Sequence, residues 1–242
     1  DSIPHRWETD GKKIWSQYFS PYAPVNFGIG GDRTEHVLWR IDDSALKTPH
    51  SPQVCVIMVG TNNTGQYKGR QTPQETAEGI REIASRVHRL HPATEIILLH
   101  IFPRGKTAED PLRIQNEMIN RELDKTNMPR VHVVNINSAF LDKDGTFLPG
   151  ITGDLVHLTE KGYRLWADAL LPEIIYHWAG VYDMDPEGRN PSRYYGNVLG
   201  DSRKLEALEE FLGREFLGTW CSGERDPNPH GHAAPYILQA FD

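Results

Sequence analysis

Val54-Cys55-Val56-Ile57-Met58-Val59 is an apolar run with no polar residue to turn toward water. A strand with one wet face alternates, whereas a strand covered on both faces does not, so this run predicts a strand inside a sheet flanked on both sides. Glu95 to Ile101 and Val131 to Ile136 carry the same signature, and Val25-Asn26-Phe27 reads as a short fourth strand. Amphipathic stretches separate them. Arg33 to Ile41 places Val37, Leu38 and Ile41 on one side. Thr72-Pro73-Gln74-Glu75 combines an N-cap, a proline at the first helical position and a glutamate three residues after the cap. Ala77, Ile80, Ile83, Ala84, Val87 and Leu90 follow at helical spacing, and Pro92 stops the helix. Pro111 to Lys125 predicts an inner stripe of Leu112, Met118, Ile119 and Leu123. Thr159 to Trp178 predicts one of Tyr163, Trp166, Leu170 and Ile174. Alternating strands and helices imply an α/β fold, three layers α/β/α around a parallel sheet. In such sheets a ligand sits beyond the carboxyl ends of the strands.

The chemistry-bearing segments lie in the corresponding loops. Gly28-Ile29-Gly30-Gly31-Asp32 is not a dinucleotide loop, because position 33 is arginine where a sixth-position glycine belongs. Its glycines suit a tight turn that needs positive φ, and such a turn can aim a backbone N–H into a site. Gly60-Thr61-Asn62-Asn63 follows the first apolar run directly. An asparagine there can cap a turn or, beside a nucleophile, donate its amide to an oxyanion. Asp154-Leu155-Val156-His157 precedes the last helix. The aspartate can cap that turn, or orient the imidazole and stabilise its charged form. Ser2 supplies a hydroxyl, a weak nucleophile unless an adjacent base takes its proton.

These blocks, Asp1-Ser2-Ile3, Asn26 to Asp32, Gly60 to Asn63 and Asp154-x-x-His157, resemble in order those of the SGNH (GDSL) hydrolase superfamily. Ile14 to Pro21, His36-Val37-Leu38-Trp39-Arg40 and Ile101-Phe102-Pro103-Arg104-Gly105 are similar to the platelet-activating factor acetylhydrolase catalytic subunits and their esterase relatives. The resemblance implies a flavodoxin-like SGNH hydrolase fold over residues 1–178. It implies Ser2 as nucleophile, His157 as base and Asp154 as its orienting carboxylate. Ser2 N–H, Gly31 N–H and the Asn62 side chain would form the oxyanion hole. It further implies an acetyl-type carboxylic ester hydrolase acting on carbohydrate O-acetyl or small lipid-like esters, without metal or organic cofactor, and a homodimer. A non-catalytic carbohydrate- or ester-binding module that retains the pocket is the alternative.

The family block reads Gly-Asp-Ser after a first strand, whereas this sequence opens at Asp1. Two readings stand side by side. Either residues 236–241 supply that strand in a rearranged chain, or a segment precedes Asp1. Gly200-Asp201-Ser202 repeats the three letters but leads into a helical pattern, so its polar residues read as an N-cap. Residues 179–242 form an aromatic-, glycine- and proline-rich appendage. Its His230-Gly231-His232 reads as surface loop, since two histidines make an incomplete metal site.

Composition excludes some classes. The net charge of −7 argues against nucleic acid as a partner. No apolar run approaches the ~20 residues of a membrane span, so a soluble domain is expected, cytoplasmic or secreted. Cys55 reads as a buried thiol and Cys221 as incidental.

Overall fold

The computed structural model describes residues 1–43, 46, 51–65 and 71–179. The expectations for Gly200 to Ser202, Cys221, His230, His232 and residues 236–241 fall outside them. The chain divides into two units, Asp1–Leu170 and Leu171–Asp242, and nearly all of the second lies beyond the described residues.

Three parallel strands form a sheet in the order β1 (Val54–Ile57), β2 (Glu95–Leu99), β3 (Val131–Val134). Val54 pairs with Glu95 and Ile96 with Val131. Every residue of β2 is buried. Its alternate side chains serve opposite faces. Ile96 and Leu98 join Ile41, Ala77, Ile80, Ile83, Ala84, Val87, Ile119 and Leu123 in one core. That core is closed by α3 (Thr34–Asp42), α4 (Pro73–Leu90) and α5 (Pro111–Leu123). Ile97 and Leu99 are buried as fully on the other side, so both faces are covered, as the uninterrupted apolar runs predict. Each such side chain removed from water is worth about 1.5–3 kcal/mol.

The second face is aromatic. Phe102 packs tilted on Phe140 at 4.6 Å and edge-on against Trp166 at 4.8 Å between ring centres. Trp7 lies 4.9 Å from Trp166 and 4.5 Å from Tyr163. Trp166 and Tyr163 belong to α6 (Glu160–Ala179), Trp7 to the short segment after α1 (Ser2–His5). A Cβ on Gly11, just before α2 (Lys12–Tyr18), would meet Trp7 at 2.6 Å and Tyr163 at 2.8 Å. The close approach of the N-terminal segment to α6 therefore requires glycine.

Three sequence expectations are corrected. Val25-Asn26-Phe27 is not a strand but a loop tied down by its own asparagine. Asn26 Nδ2 donates to Pro4 O at 3.0 Å, and its Oδ1 accepts from Gly28 N at 2.9 Å. Val25 and Phe27, 70% and 44% exposed, gain nothing from a ladder. In α5 the inner stripe is Arg113, Asn116, Ile119, Asn120 and Leu123, while Met118 faces outward. The polar members repair the sheet's end. Asn120 accepts from Ile101 N at 2.8 Å and donates to Ile101 O at 2.9 Å, replacing a ladder that has run out. Leu90, at the end of α4, is exposed as well. Burial pushes the Cys55 thiol up to about 11, so it stays protonated at neutral pH.

Candidate active site

Ser2 opens α1, capped by the Asp1 side chain, which accepts from Ile3 N at 2.9 Å. Tyr163 Oη donates to Ile3 O at 2.7 Å, so the residue beside Ser2 is anchored to the first turns of α6. The loop entering α6 is closed by Thr159, whose N–H donates to Ile151 O at 2.9 Å and whose hydroxyl donates to Gly150 O at 2.7 Å. His157 projects from this loop. Its Nε2 lies 2.9 Å from Ser2 Oγ, and its Nδ1 lies 2.6 Å from Asp154 Oδ2. With Nδ1–H donating to the carboxylate, Nε2 offers its lone pair to the serine hydroxyl.

The two oxygens of Asp154 divide the labour. Oδ1 accepts from His157 N at 2.7 Å and Val156 N at 3.0 Å, which fixes the turn, and Oδ2 takes the ring. Capping and orienting, alternatives in the sequence, are performed by one carboxylate. Desolvation alone would raise its pKa, but the hydrogen bonds from the His157 ring and the two backbone N–H groups outweigh it and hold it at about 2. Leu155, inside this turn, sits at φ 64°. A side chain in that region costs of order 1–3 kcal/mol and persists only where the surroundings enforce it.

The glycine turn is pressed against α1. A Cβ on Gly28 would lie 2.3 Å from His5 N, so only glycine fits. Gly30 N donates to His5 Nδ1 at 3.0 Å. His5, three residues after Ser2 on the same short helix, thereby joins the helix of Ser2 to this turn. Sequence reasoning missed it, although spacing of three on a helix was the available signal. Arg40 of α3 brackets the turn: one guanidinium nitrogen donates to Phe27 O at 3.0 Å and another pairs with the Asp32 carboxylate. Gly31 has φ 82°, and its N–H makes no hydrogen bond among the described residues. Asn62 Nδ2 donates to Asp32 O at 2.9 Å, which places its amide against the residue next to Gly31. Its neighbour Asn63 is buried and serves structure, accepting from Thr34 N at 3.2 Å and donating to Gln71 Oε1 at 2.5 Å.

The structure thus joins Ser2, His157 and Asp154 in one line of hydrogen bonds. It sets Gly31 and Asn62 on touching turns, one of which packs on the helix of Ser2. An open polar groove lined by Arg6, Thr9, Asp10, Asp154, His157 and Thr159 borders the imidazole.

Residues 1–165 match the model of the GDSL-like lipase/acylhydrolase family. The chain belongs to this family. Platelet-activating factor acetylhydrolase IB subunit alpha1 of Rattus norvegicus is 36% identical to this chain over 154 residues, covering 62% of this chain and 63% of that protein. Subunit alpha2 of Rattus norvegicus is 38% identical over 154 residues, covering 62% and 64%. The chain spans less than two thirds of the length of these curated relatives. A GDSL-like lipase from Bacteroides thetaiotaomicron superposes with a TM-score of 0.56 at 21% identity, over 71% of this chain and 83% of that one. A catalytic mutant of an acetylxylan esterase from Geobacillus stearothermophilus gives 0.55 at 22%, over 67% and 78%. These likenesses establish the GDSL hydrolase fold. Among the described residues, no helix is long and apolar enough to cross a membrane.

Proposed function

We propose that this GDSL-family chain is a serine esterase that cleaves short-chain, acetyl-type carboxylic esters through an acyl-enzyme. The observation that carries the proposal is the unbroken line Ser2 Oγ, His157 Nε2, His157 Nδ1, Asp154 Oδ2, at 2.9 and 2.6 Å. Nucleophile, base and orienting carboxylate in hydrogen-bond sequence are what acyl transfer to a serine requires.

In this mechanism His157 Nε2 takes the Ser2 proton as Oγ attacks the ester carbonyl. The carbonyl oxygen becomes an oxyanion held by Ser2 N–H, Gly31 N–H and Asn62 Nδ2–H. The C–O bond to the alcohol breaks, and the alcohol leaves with the proton from His157. Water then gives a proton to His157 and attacks the acyl carbon. Collapse releases the carboxylic acid and returns the proton to Ser2. No step calls for a metal or organic cofactor.

The word acetyl in the names of the relatives and of the acetylxylan esterase supports a short acyl group. Carbohydrate O-acetyl esters and small lipid-like esters are both candidates, the first supported by the likeness to an acetylxylan esterase and the second by the likeness to platelet-activating factor acetylhydrolase subunits. A homodimer belongs to the same proposal, and light scattering of the purified chain measures it.

The experiment is a panel of p-nitrophenyl esters from acetate to decanoate together with acetylated sugars, run on wild type and Ser2→Ala. Fast acetate turnover that falls with chain length, and vanishes in Ser2→Ala, is expected. A phosphonylating inhibitor is expected to label Ser2. Ligand binding without turnover or labelling would leave the binding-module reading in its place.

A further inference from the structure

Arg113 is 2% exposed and lies on the inner face of α5. It forms no ion pair among the described residues. Its guanidinium donates instead to three backbone carbonyls, Arg104 O at 2.8 Å, Gly105 O at 3.2 Å and Gly145 O at 2.5 Å. The same group stands 5.2 Å over the Phe147 ring. Desolvation lowers its pKa, so the burial is unfavourable for the charge. Glu117, Asp110 and Glu109 favour its charge from a distance, yet among the described residues no carboxylate pairs with it, and its direct partners are backbone carbonyls. What a planar fork does well is to fix several acceptors relative to one another.

The acceptors lead to the site. Gly105 N donates to Leu155 O at 2.9 Å, and Leu155 is the residue at φ 64° between Asp154 and His157. Gly105 itself is at φ 75°, where a Cβ would lie 2.2 Å from the Asp110 side chain. On its other side the same loop reaches the asparagine turn, since Arg104 Nη1 donates to Thr61 Oγ1 at 3.1 Å. Arg104-Gly105 is thus a strap between the turn of Asn62 and the turn of Asp154 and His157, and Arg113 grips the strap by both of its carbonyls.

We infer that Arg113 is a positioning residue: by clamping the Arg104-Gly105 strap it enforces the strained Leu155 turn and so holds Asp154 and His157 in line with Ser2. This rests on the esterase reading for its kinetic consequence, but not for its structural one.

The test uses Arg113→Met and Arg113→Lys in the full chain, with two readouts. The first is the low-field proton resonance of His157 Nδ1–H, assigned by its loss in Asp154→Asn, and it needs no activity. The second is p-nitrophenyl acetate hydrolysis. Both variants are expected to unfold cooperatively yet to broaden or lose the resonance. Displacing a catalytic group by about 1 Å can cost about 100-fold, so kcat is expected to drop 10- to 100-fold with KM nearly unchanged. Lysine is expected to fail to rescue, because one ammonium cannot span three carbonyls. A folded Arg113→Met protein that keeps the resonance and its kcat would overturn the inference. So would failure of both variants to fold, since Arg113 would then be a determinant of the fold. If wild type shows the resonance but no hydrolysis, the esterase reading fails while the resonance still decides the role of Arg113.

Discussion

Gly31 and Asn62 meet their demands by different means, and substitutions separate them. A Cβ on Gly31 would find nothing within 4 Å, so Gly31→Ala is opposed by its φ of 82° and not by space. A left-handed alanine costs roughly 1–2 kcal/mol, and the turn can relax to avoid it. Asn62→Ala loses a donor outright. If Asn62 serves the oxyanion, its removal costs about 2.7–4 kcal/mol of barrier, a kcat loss of about 100- to 1000-fold. Asn62→Ala also loses the bond to Asp32 O, worth about 0.5–1.5 kcal/mol, so the expected signature is a large kcat loss with only a modest fall in melting temperature; an unchanged kcat would remove Asn62 from the mechanism. Asp154 gives a second residue-level prediction through its pKa of about 2. A carboxylate whose folded pKa is depressed contributes stability above its unfolded value of 3.8, and loses that contribution as pH falls through 2. The stability gap between wild type and Asp154→Asn is therefore expected to be full at pH 6, to narrow below pH 4 and to close near pH 2. Chemical denaturation across that range measures it. Asp154 is half exposed, so solvent screening keeps the gap small.

At the scale of elements, the polar face of α5 decides how the sheet's carboxyl end is finished. Replacing Asn120 by leucine would keep its volume but orphan the Ile101 N–H and weaken the hold on Ile101 O, which Asn137 also contacts at 3.1 Å. A buried donor left unsatisfied costs about 1–3 kcal/mol, so Asn120→Leu is expected to lower the unfolding free energy by that amount, read from the shift of the denaturation midpoint. The same helix shows what periodicity can and cannot deliver. The helix expected over Pro111 to Lys125 was legible from the apolar spacing, and the structure ends it at Leu123 and caps it with Asp110, a signal the sequence reading did not use. Its inward face was not, because Arg113, Asn116 and Asn120 read as solvent residues until their backbone partners are known. Val25 to Phe27 failed for the complementary reason: β-prone residues make a strand only where a neighbour completes the ladder, and Asn26 offers the backbone a turn instead.

At the scale of the molecule, the site was legible in its parts because chemistry restricts residue types. Ser2, Asp154 and His157 have the chemistry for acyl transfer, but it is the family resemblance that implies they meet. Residue chemistry and periodicity do not imply it, since in the structure the meeting depends on the aromatic face. Ser2 and His157 are 155 residues apart, yet Tyr163 holds Ile3 O and Trp7 packs against both Tyr163 and Trp166. Tyr163 is buried and desolvation pushes its phenol pKa upward, so it remains a neutral donor throughout the working range. Tyr163→Phe keeps the ring stacking and deletes only the bond to Ile3 O. One neutral hydrogen bond is worth about 0.5–1.5 kcal/mol net, so the fold should survive with a modest loss of stability. The helix of Ser2, four residues long, is also held by Asn26 on Pro4 O and by Gly30 N on His5, but both attach on the side away from α6 and beyond Ile3. The rate of phosphonylation at Ser2 is therefore expected to fall by more than the stability change alone would suggest, with Trp7→Leu showing the reverse balance, a large loss of stability. Equal labelling rates in Tyr163→Phe and wild type would mean that packing alone sets the distance from Ser2 to His157.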